Sequence, residues 1–487
     1  MNQIVLVVIL PLLAAFLLPL LARLSNLLAA VAGPLVMLAC GWIVLDVWLA
    51  DDFATFTVAL GGFAPPLGIL FYVDELALLF ALAVAVMTLL LWPTPESAEQ
   101  DIVRLRVLTL LLAASSAGLA LSGDLFNLYV FYELAAVASY GLIAGRMTGA
   151  SFAAAFRYLL MSAMGSVFAL TGIGLVYFKT GTLNLAHLAS MSEQLDNPIG
   201  LAAFLLMLIG FGVKAELFPV NSWAPEVYAA ASRRLSALLA GLVSKLALLV
   251  IVRLLLLVFH QPEALQAMLV LGLLTLIAGE FAAWQAKDVV RMLSWSSVGQ
   301  LGLVFIAFSV SGTTGVIAGL ALALHHLVVK PALFLLADAW GGSLQSLQGA
   351  ARKSPFAAGL LVLFVLSLLG IPPLPGFWAK FLLLSGLANA DGQIYMLAIF
   401  LVLAMTVLEA NYLFRLVALL YRDRPSDSQP APTHALVNTV SSALLAAVLL
   451  VAVYNIEPVH AKLQQISHTA ADVDATIKQV FPEGVKL

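Results

Sequence analysis

Residues 211–221 read Phe211-Gly-Val-Lys-Ala-Glu-Leu-Phe-Pro-Val-Asn221, and they continue the apolar run that starts at residue 199. The run is apolar enough to enter a bilayer, yet it carries a lysine and then a proline. Proline lacks the amide hydrogen and clashes with the preceding turn, so a helix here must break. Freed backbone groups at membrane depth are tolerated only inside protein or along a wet cavity. A second helical piece is expected near residues 223–231. The same construction recurs in Gly370-Ile-Pro-Pro-Leu-Pro-Gly-Phe-Trp-Ala-Lys380.

The rest of the chain supplies the context. Of 487 residues, 63% are hydrophobic and 10% charged, against roughly 45–50% and about 25% in a soluble domain. A transmembrane helix needs about 20 mostly apolar residues. Phe is spread along the chain and turn-bounded strands of about 10 residues are absent, which argues against a β-barrel. The class is an all-α polytopic membrane protein. Apolar runs set against breaks give about fourteen spans, at 2–22, 27–49, 66–92, 104–121, 125–144, 155–178, 199–219, 236–258, 264–284, 293–310, 313–338, 356–388, 394–421 and 435–455. Residues 423–434, with Pro425, Pro430 and Pro432, read as a loop, and the polar tail after Glu457 as a short surface helix.

Several functions are excluded. One cysteine, Cys40, leaves no disulfide framework, no Cys-ligated cluster and no C-x-x-C-H haem attachment. Gly-Lys never occurs, so there is no P-loop, and no Rossmann glycine motif follows a strand. A net charge of −3 without a basic run argues against a nucleic-acid partner. The aromatic residues form no quinone or haem box, no cofactor is expected, and His187 and His260 read as surface residues.

Positive charge orients the chain. The first basic residue, Arg23, follows the first apolar run, as in a span entering with its N-terminus outside instead of a cleaved signal peptide. With both termini outside an inner (plasma) membrane, thirteen of the fourteen Lys and Arg in the expected loops lie inside, Arg424 among them. Lys179 is the outer exception, and Lys462, Lys478 and Lys486 sit in the tail. Three N-terminal spans (1–103) precede two blocks, 104–258 and 259–421, and 422–487 holds a last span and the tail. In each block the broken helix is the fourth of five spans. An odd block size reverses orientation, so the blocks read as two inverted five-helix repeats, as in many secondary transporters.

Six basic residues fall inside spans: Lys214, Lys245, Lys330, Lys380, Arg253 and Arg415. The two arginines are close enough to span ends to snorkel. A charge at the bilayer centre costs at least about 2.5–3.5 kcal/mol, so the four lysines need partners or a wet path. Glu133 is the natural partner of Lys214, either as a proton-switching pair or as a static bridge between helices. His326 and Lys330 are i, i+4 on one face, with His325 beside them, and form a relay candidate. Ligand spacing for a metal is absent. Lys380 follows the second break, where a half-helix end can tune its hold on a proton. Glu409 reads as a packing or boundary residue or as part of the path. Asp74 and Glu75 read as a solvated helix start or a cation entrance.

The ordered set of motifs resembles a known family. Gly123-Asp-Leu-Phe-Asn-Leu-Tyr-Val-Phe-Tyr-Glu133, Lys214 before a broken helix and the stretch from Leu235 to Lys245 carry the likeness, with Lys287-Asp-Val-Val-Arg-Met-Leu-Ser-Trp-Ser-Ser-Val-Gly-Gln300, His326, Lys330-Pro-Ala-Leu-Phe-Leu and Gly370 to Lys380. It is similar to the antiporter-like subunits shared by respiratory complex I, membrane hydrogenases and Mrp-type multisubunit cation/proton antiporters, and most like the Mrp branch. One departure is Ser232, where the family usually has proline, followed by Arg233-Arg234. The resemblance implies fourteen helices and a midplane proton path through Glu133, Lys214, Lys245, Lys330 and Lys380. It also implies partner membrane subunits in a hetero-oligomeric complex. The leading expectation is a secondary transporter subunit, not an enzyme, that exchanges protons for Na⁺ or another monovalent cation. A proton-pumping subunit of an NADH:quinone oxidoreductase or membrane hydrogenase and a structural scaffold are the alternatives.

Overall fold

The computed structural model describes residues 2–50, 53–95, 101–338, 340, 342–423, 436–482 and 484. Arg424, Lys486 and the loop expected at 423–434, from its second residue on, lie outside them. Among the described residues, eleven helices are long and apolar enough to cross a membrane, with shorter apolar helices at Glu75–Leu90, Pro198–Gly212 and Pro355–Leu369. Large apolar side chains face outwards, Phe16 at 75% and Phe178 at 79% exposed, while serines such as Ser116, Ser139 and Ser294 are buried. Water would penalise that distribution; lipid does not, because its chains are as apolar as the side chains.

One expectation fails at its start. The run 66–92 is not all helix: strand β1 (Phe56–Ala59) pairs antiparallel with strand β2 (Leu70–Val73), Phe56 opposite Val73 and Ala59 opposite Leu70. A short apolar run does not by itself separate helix from buried strand, and Phe-Tyr-Val fits a pleated surface. The helix begins at Glu75, where Asp74 accepts from the amide of Ala77 at 2.8 Å.

The chain divides into two compact units. The first comprises Met1–Ala215, Leu242–Ala264 and Ile466–Leu487. In it, the long helix Gly149–Thr180 starts with a reciprocal Thr148–Ser151 cap and stops at Gly181, whose φ of +67° suits glycine. It packs closely on Pro198–Gly212, since a Cβ on Gly210 would lie 2.6 Å from both the Ala169 amide and the Gly165 carbonyl. The polar tail is helical, Ile456–Ala471 and Val473–Val480, and its last helix is not merely a surface element. Thr476, 3% exposed, shares a 3.1 Å hydrogen bond with the Tyr72 hydroxyl.

The second unit comprises Glu216–Gly241 and Leu265–Gln465. Both expected breaks are present, each upstream of a proline, Pro219 in the first and Pro372 in the second. After Gly212 the chain leaves the helix, Glu216 takes a φ of 58°, and helix resumes at Ala224–Ala230. Ser232 has a φ of −63°, the angle proline would impose, and caps Arg233–Leu238 by accepting from the Leu235 amide. Arg233 donates to the Tyr228 and Ala229 carbonyls at 2.6 and 3.0 Å, which ends the preceding helix. Ser232 and Arg233 therefore both hold the turn between the two helices. The span Arg233–Leu257 then runs through a π-helical stretch, Leu239–Val243, and the division between units falls inside it. At the second break Pro355–Leu369 ends on Gly370 (φ +80°), and Pro375–Ala388 follows. Helices Pro262–Gln285 and Val289–Phe308 meet through glycines, a Cβ on Gly279 falling 2.4 Å from the Gly299 amide.

Candidate proton-transfer residues

In the first unit Lys214 lies just past the end of Pro198–Gly212 and is 1% exposed. Its Nζ donates to the Tyr132 carbonyl at 3.0 Å and stands 3.0 Å from the centroid of the Tyr132 ring. Glu133 Oε1 is 3.9 Å away and accepts a 2.5 Å bond from Ser166 Oγ. The expected Glu–Lys pair is thus present but loose, each partner holding a stronger contact elsewhere. Tyr132 is fixed in turn by donating to the Gly210 carbonyl at 3.1 Å, beside the break. Lys245, fully buried, contacts Ser244 Oγ at 3.1 Å directly after the π-helical stretch.

Two readings near Asp74 need correcting. Asp74 and Glu75 are 1% and 4% exposed, so the helix start is not solvated. Arg253 does not snorkel: its helix, Ser244–Leu257, is buried on nearly every side, and its guanidinium reaches Asp74 at 2.7 and 3.2 Å. Such a two-pronged pair offsets the desolvation of both charges. His187 is also buried, contrary to the surface reading, with its ring 5.7 Å from that of Phe481 and neither nitrogen hydrogen-bonded among the described residues. Burial lowers its pKa from the usual histidine value. His260 is exposed, as read, and bonds the Leu256 carbonyl.

In the second unit Gly312–Leu336 presents His326 and Lys330 to helix Val289–Phe308: His326 Nε2 lies 3.3 Å from Ser297 Oγ, and Lys330 Nζ 2.6 Å from Ser296 Oγ. His325 turns to Ser367 Oγ at 2.9 Å, next to the second break. Gly376 makes that approach possible, since a Cβ there would lie 1.7 Å from the Ser367 carbonyl. Lys380 is ion-paired with Glu409 at 2.7 Å, and Gln300 donates to the other carboxylate oxygen at 2.7 Å. Glu409 is therefore no boundary residue. Arg415 does sit at an end, donating to the Trp284 and Ala286 carbonyls.

Two buried carboxylates escaped the sequence reading. Glu216 follows Lys214 by two residues, belongs to the second unit and accepts from the Tyr228 hydroxyl. Glu280 accepts from Tyr412 at 2.9 Å and is 1% exposed. The available signal was the one used for Glu409, an acid inside an apolar run.

These features define a class: an integral membrane protein that keeps acids, lysines and histidines inside its helices and interrupts two helices beside them. The chain belongs to the NADH:quinone oxidoreductase/Mrp antiporter membrane-subunit family, whose match covers residues 122–409. It is 32% identical over 435 residues to the N subunit of the NADH-quinone oxidoreductase of Desulforudis audaxviator, covering 85% of each chain. It is 30% identical over 423 residues to the D subunit of the Na(+)/H(+) antiporter of Bacillus subtilis, covering 84% of this chain and 85% of that one. Among solved structures, a chain of the archaeal membrane-bound sulfane sulfur reductase superposes with a TM-score of 0.90 at 29% identity, over 99% of this chain and 100% of that one. A chain of the Mrp complex from Dietzia sp. DQ12-45-1b gives 0.87 at 24%, over 98% and 99%, a likeness of fold.

Proposed function

We propose that this chain is the proton-translocating subunit, of the Mrp D type, in a multisubunit monovalent cation (Na⁺)/proton antiporter of the plasma membrane. It is a transporter subunit, not an enzyme, and works beside other membrane subunits, with both termini outside. The helices of 104–258 and 259–421 act as two inverted repeats. The observation that carries the reading is the loose Glu133–Lys214 pair at 3.9 Å beside a broken helix. A buried ammonium's hold on its proton depends on the distance to its counter-charge. Lys214 rests on the Tyr132 carbonyl at 3.0 Å, so a small movement towards Glu133 changes that distance. In this reading Lys214 carries the proton and Glu133 modulates it. Lys245, Lys330 and His326 relay it, and Lys380, held by Glu409, terminates the path. His325 and Asp74 are accessory.

The test uses membrane vesicles containing the assembled complex and an imposed Na⁺ gradient. Glu133→Ala and Lys214→Ala are expected to abolish proton exchange while leaving the complex assembled. Exchange at the unmodified rate in either variant overturns the path. The likeness to the N subunit of an oxidoreductase favours a second reading, the proton-pumping arm of a redox-driven complex. Identification of the copurifying subunits separates the two, since flavin and iron–sulfur subunits belong only to the second.

A further inference from the structure

We infer that Glu280 is a proton-holding group of the second unit, wired to Lys330 through Ser296 and Tyr412. This rests on the proton-translocation reading and adds to it a side branch off Lys330. Glu280 lies on Pro262–Gln285, sealed from solvent at 1% exposure. Tyr412 donates to its Oε2 at 2.9 Å, whereas Oε1 has no hydrogen-bond partner among the described residues. The space around Oε1 exists because residue 299 is glycine, for a Cβ there would stand 2.2 Å from that oxygen. Tyr412, itself fully buried, also meets the side chain of Ser296. Ser296 in turn accepts from Lys330 Nζ at 2.6 Å.

Ammonium, serine hydroxyl, tyrosine hydroxyl and carboxylate thus stand in sequence, hydrogen-bonded at both ends, and the wire is complete when the neighbouring Ser296 and Tyr412 hydroxyls close on one another. A proton leaving Lys330 binds Ser296 Oγ as the serine passes its own to Tyr412, and Tyr412 passes its own to Glu280. Both hydroxyls are restored, and an ammonium–carboxylate pair becomes an amine and a carboxylic acid with no net charge moved out of the site. The reverse sequence returns the proton. Glu409 is not available for this role, because Lys380 and Gln300 engage both of its oxygens. A purely packing role is a poor account of Glu280: burying an acid with an unpartnered oxygen costs more than burying an apolar side chain of that size.

The experiment is Na⁺-driven proton exchange in vesicles carrying the assembled complex, with Lys214→Ala run in parallel. Glu280→Gln keeps shape but holds no exchangeable acid proton, and is expected to slow exchange about a hundredfold per assembled complex. Glu280→Asp recovers part of the rate, and Tyr412→Phe, which cuts the wire, slows it similarly. Infrared difference spectra on a pH jump lose a carboxyl band in Glu280→Gln, a change that a structural role would not produce. Normal exchange in Glu280→Gln or Tyr412→Phe while Lys214→Ala is inactive overturns the wire and leaves the wider reading standing. Normal exchange in Lys214→Ala removes the wider reading. If Glu280→Gln fails to assemble, Tyr412→Phe decides alone, and its normal rate overturns the wire.

Discussion

Arg253 and Asp74 are 179 residues apart in sequence and bonded through two guanidinium nitrogens in the folded chain. Removing one member of a buried pair leaves an uncompensated charge and costs about 3–5 kcal/mol. Asp74→Asn is expected to lower the thermal unfolding midpoint of the solubilised protein, and Arg253→Met added to it restores much of the loss. Burial depresses the pKa of His187, so the folded form binds fewer protons than the unfolded one below the ordinary histidine pKa. That stability is present above about pH 6.5 and is lost as pH falls through the depressed value. Protection of the Val473–Val480 amides, measured against their intrinsic exchange rates, should therefore fall on acidification, and His187→Phe should flatten the response. At this scale the four lysines were legible, because a charge in an apolar run has few excuses. The Arg253–Asp74 pairing was not, since nothing local in either segment points to the other. Glu280 was overlooked because it sits four residues from the expected span end at 284.

Among elements, those dictated by local covalent chemistry were legible and those dictated by tertiary packing were not. Proline located both breaks. The β1–β2 hairpin was hidden because Leu70–Val73 is as apolar as the helix after it. The close helix pairs were hidden too, since a glycine in an apolar run does not announce its neighbour. Gly210→Ala would force Gly149–Thr180 away from Pro198–Gly212, at a cost of about 1–3 kcal/mol. A lower melting temperature would check it, with Gly174→Ala on Gly149–Thr180 as the control, since a Cβ there meets nothing within 4 Å. Gly376→Ala meets the Ser367 carbonyl and His325, and it is expected to disturb the second break. Proton exchange should slow without the complex coming apart, read from native gels and vesicle assays side by side.

For the whole molecule, the concentration of basic residues in alternate expected loops predicts one orientation in the bilayer. Lys179→Cys, in a background where Cys40 is replaced by serine, should react with a membrane-impermeant maleimide in intact cells. Lys353→Cys should react only in inverted vesicles. The opposite pattern would reverse the topology.

The π-helical stretch Leu239–Val243 ends one residue before Ser244 and two before Lys245. An α-helix advances about 100° per residue, and a turn holding one residue more changes the bearing of everything downstream by that amount. The compass heading of Lys245 is therefore written into a single oversized coil. Excising one residue there would make the coil ordinary and leave the amine on its present bearing, whereas winding the same residues into an ordinary coil would swing it by about 100° towards a different neighbour.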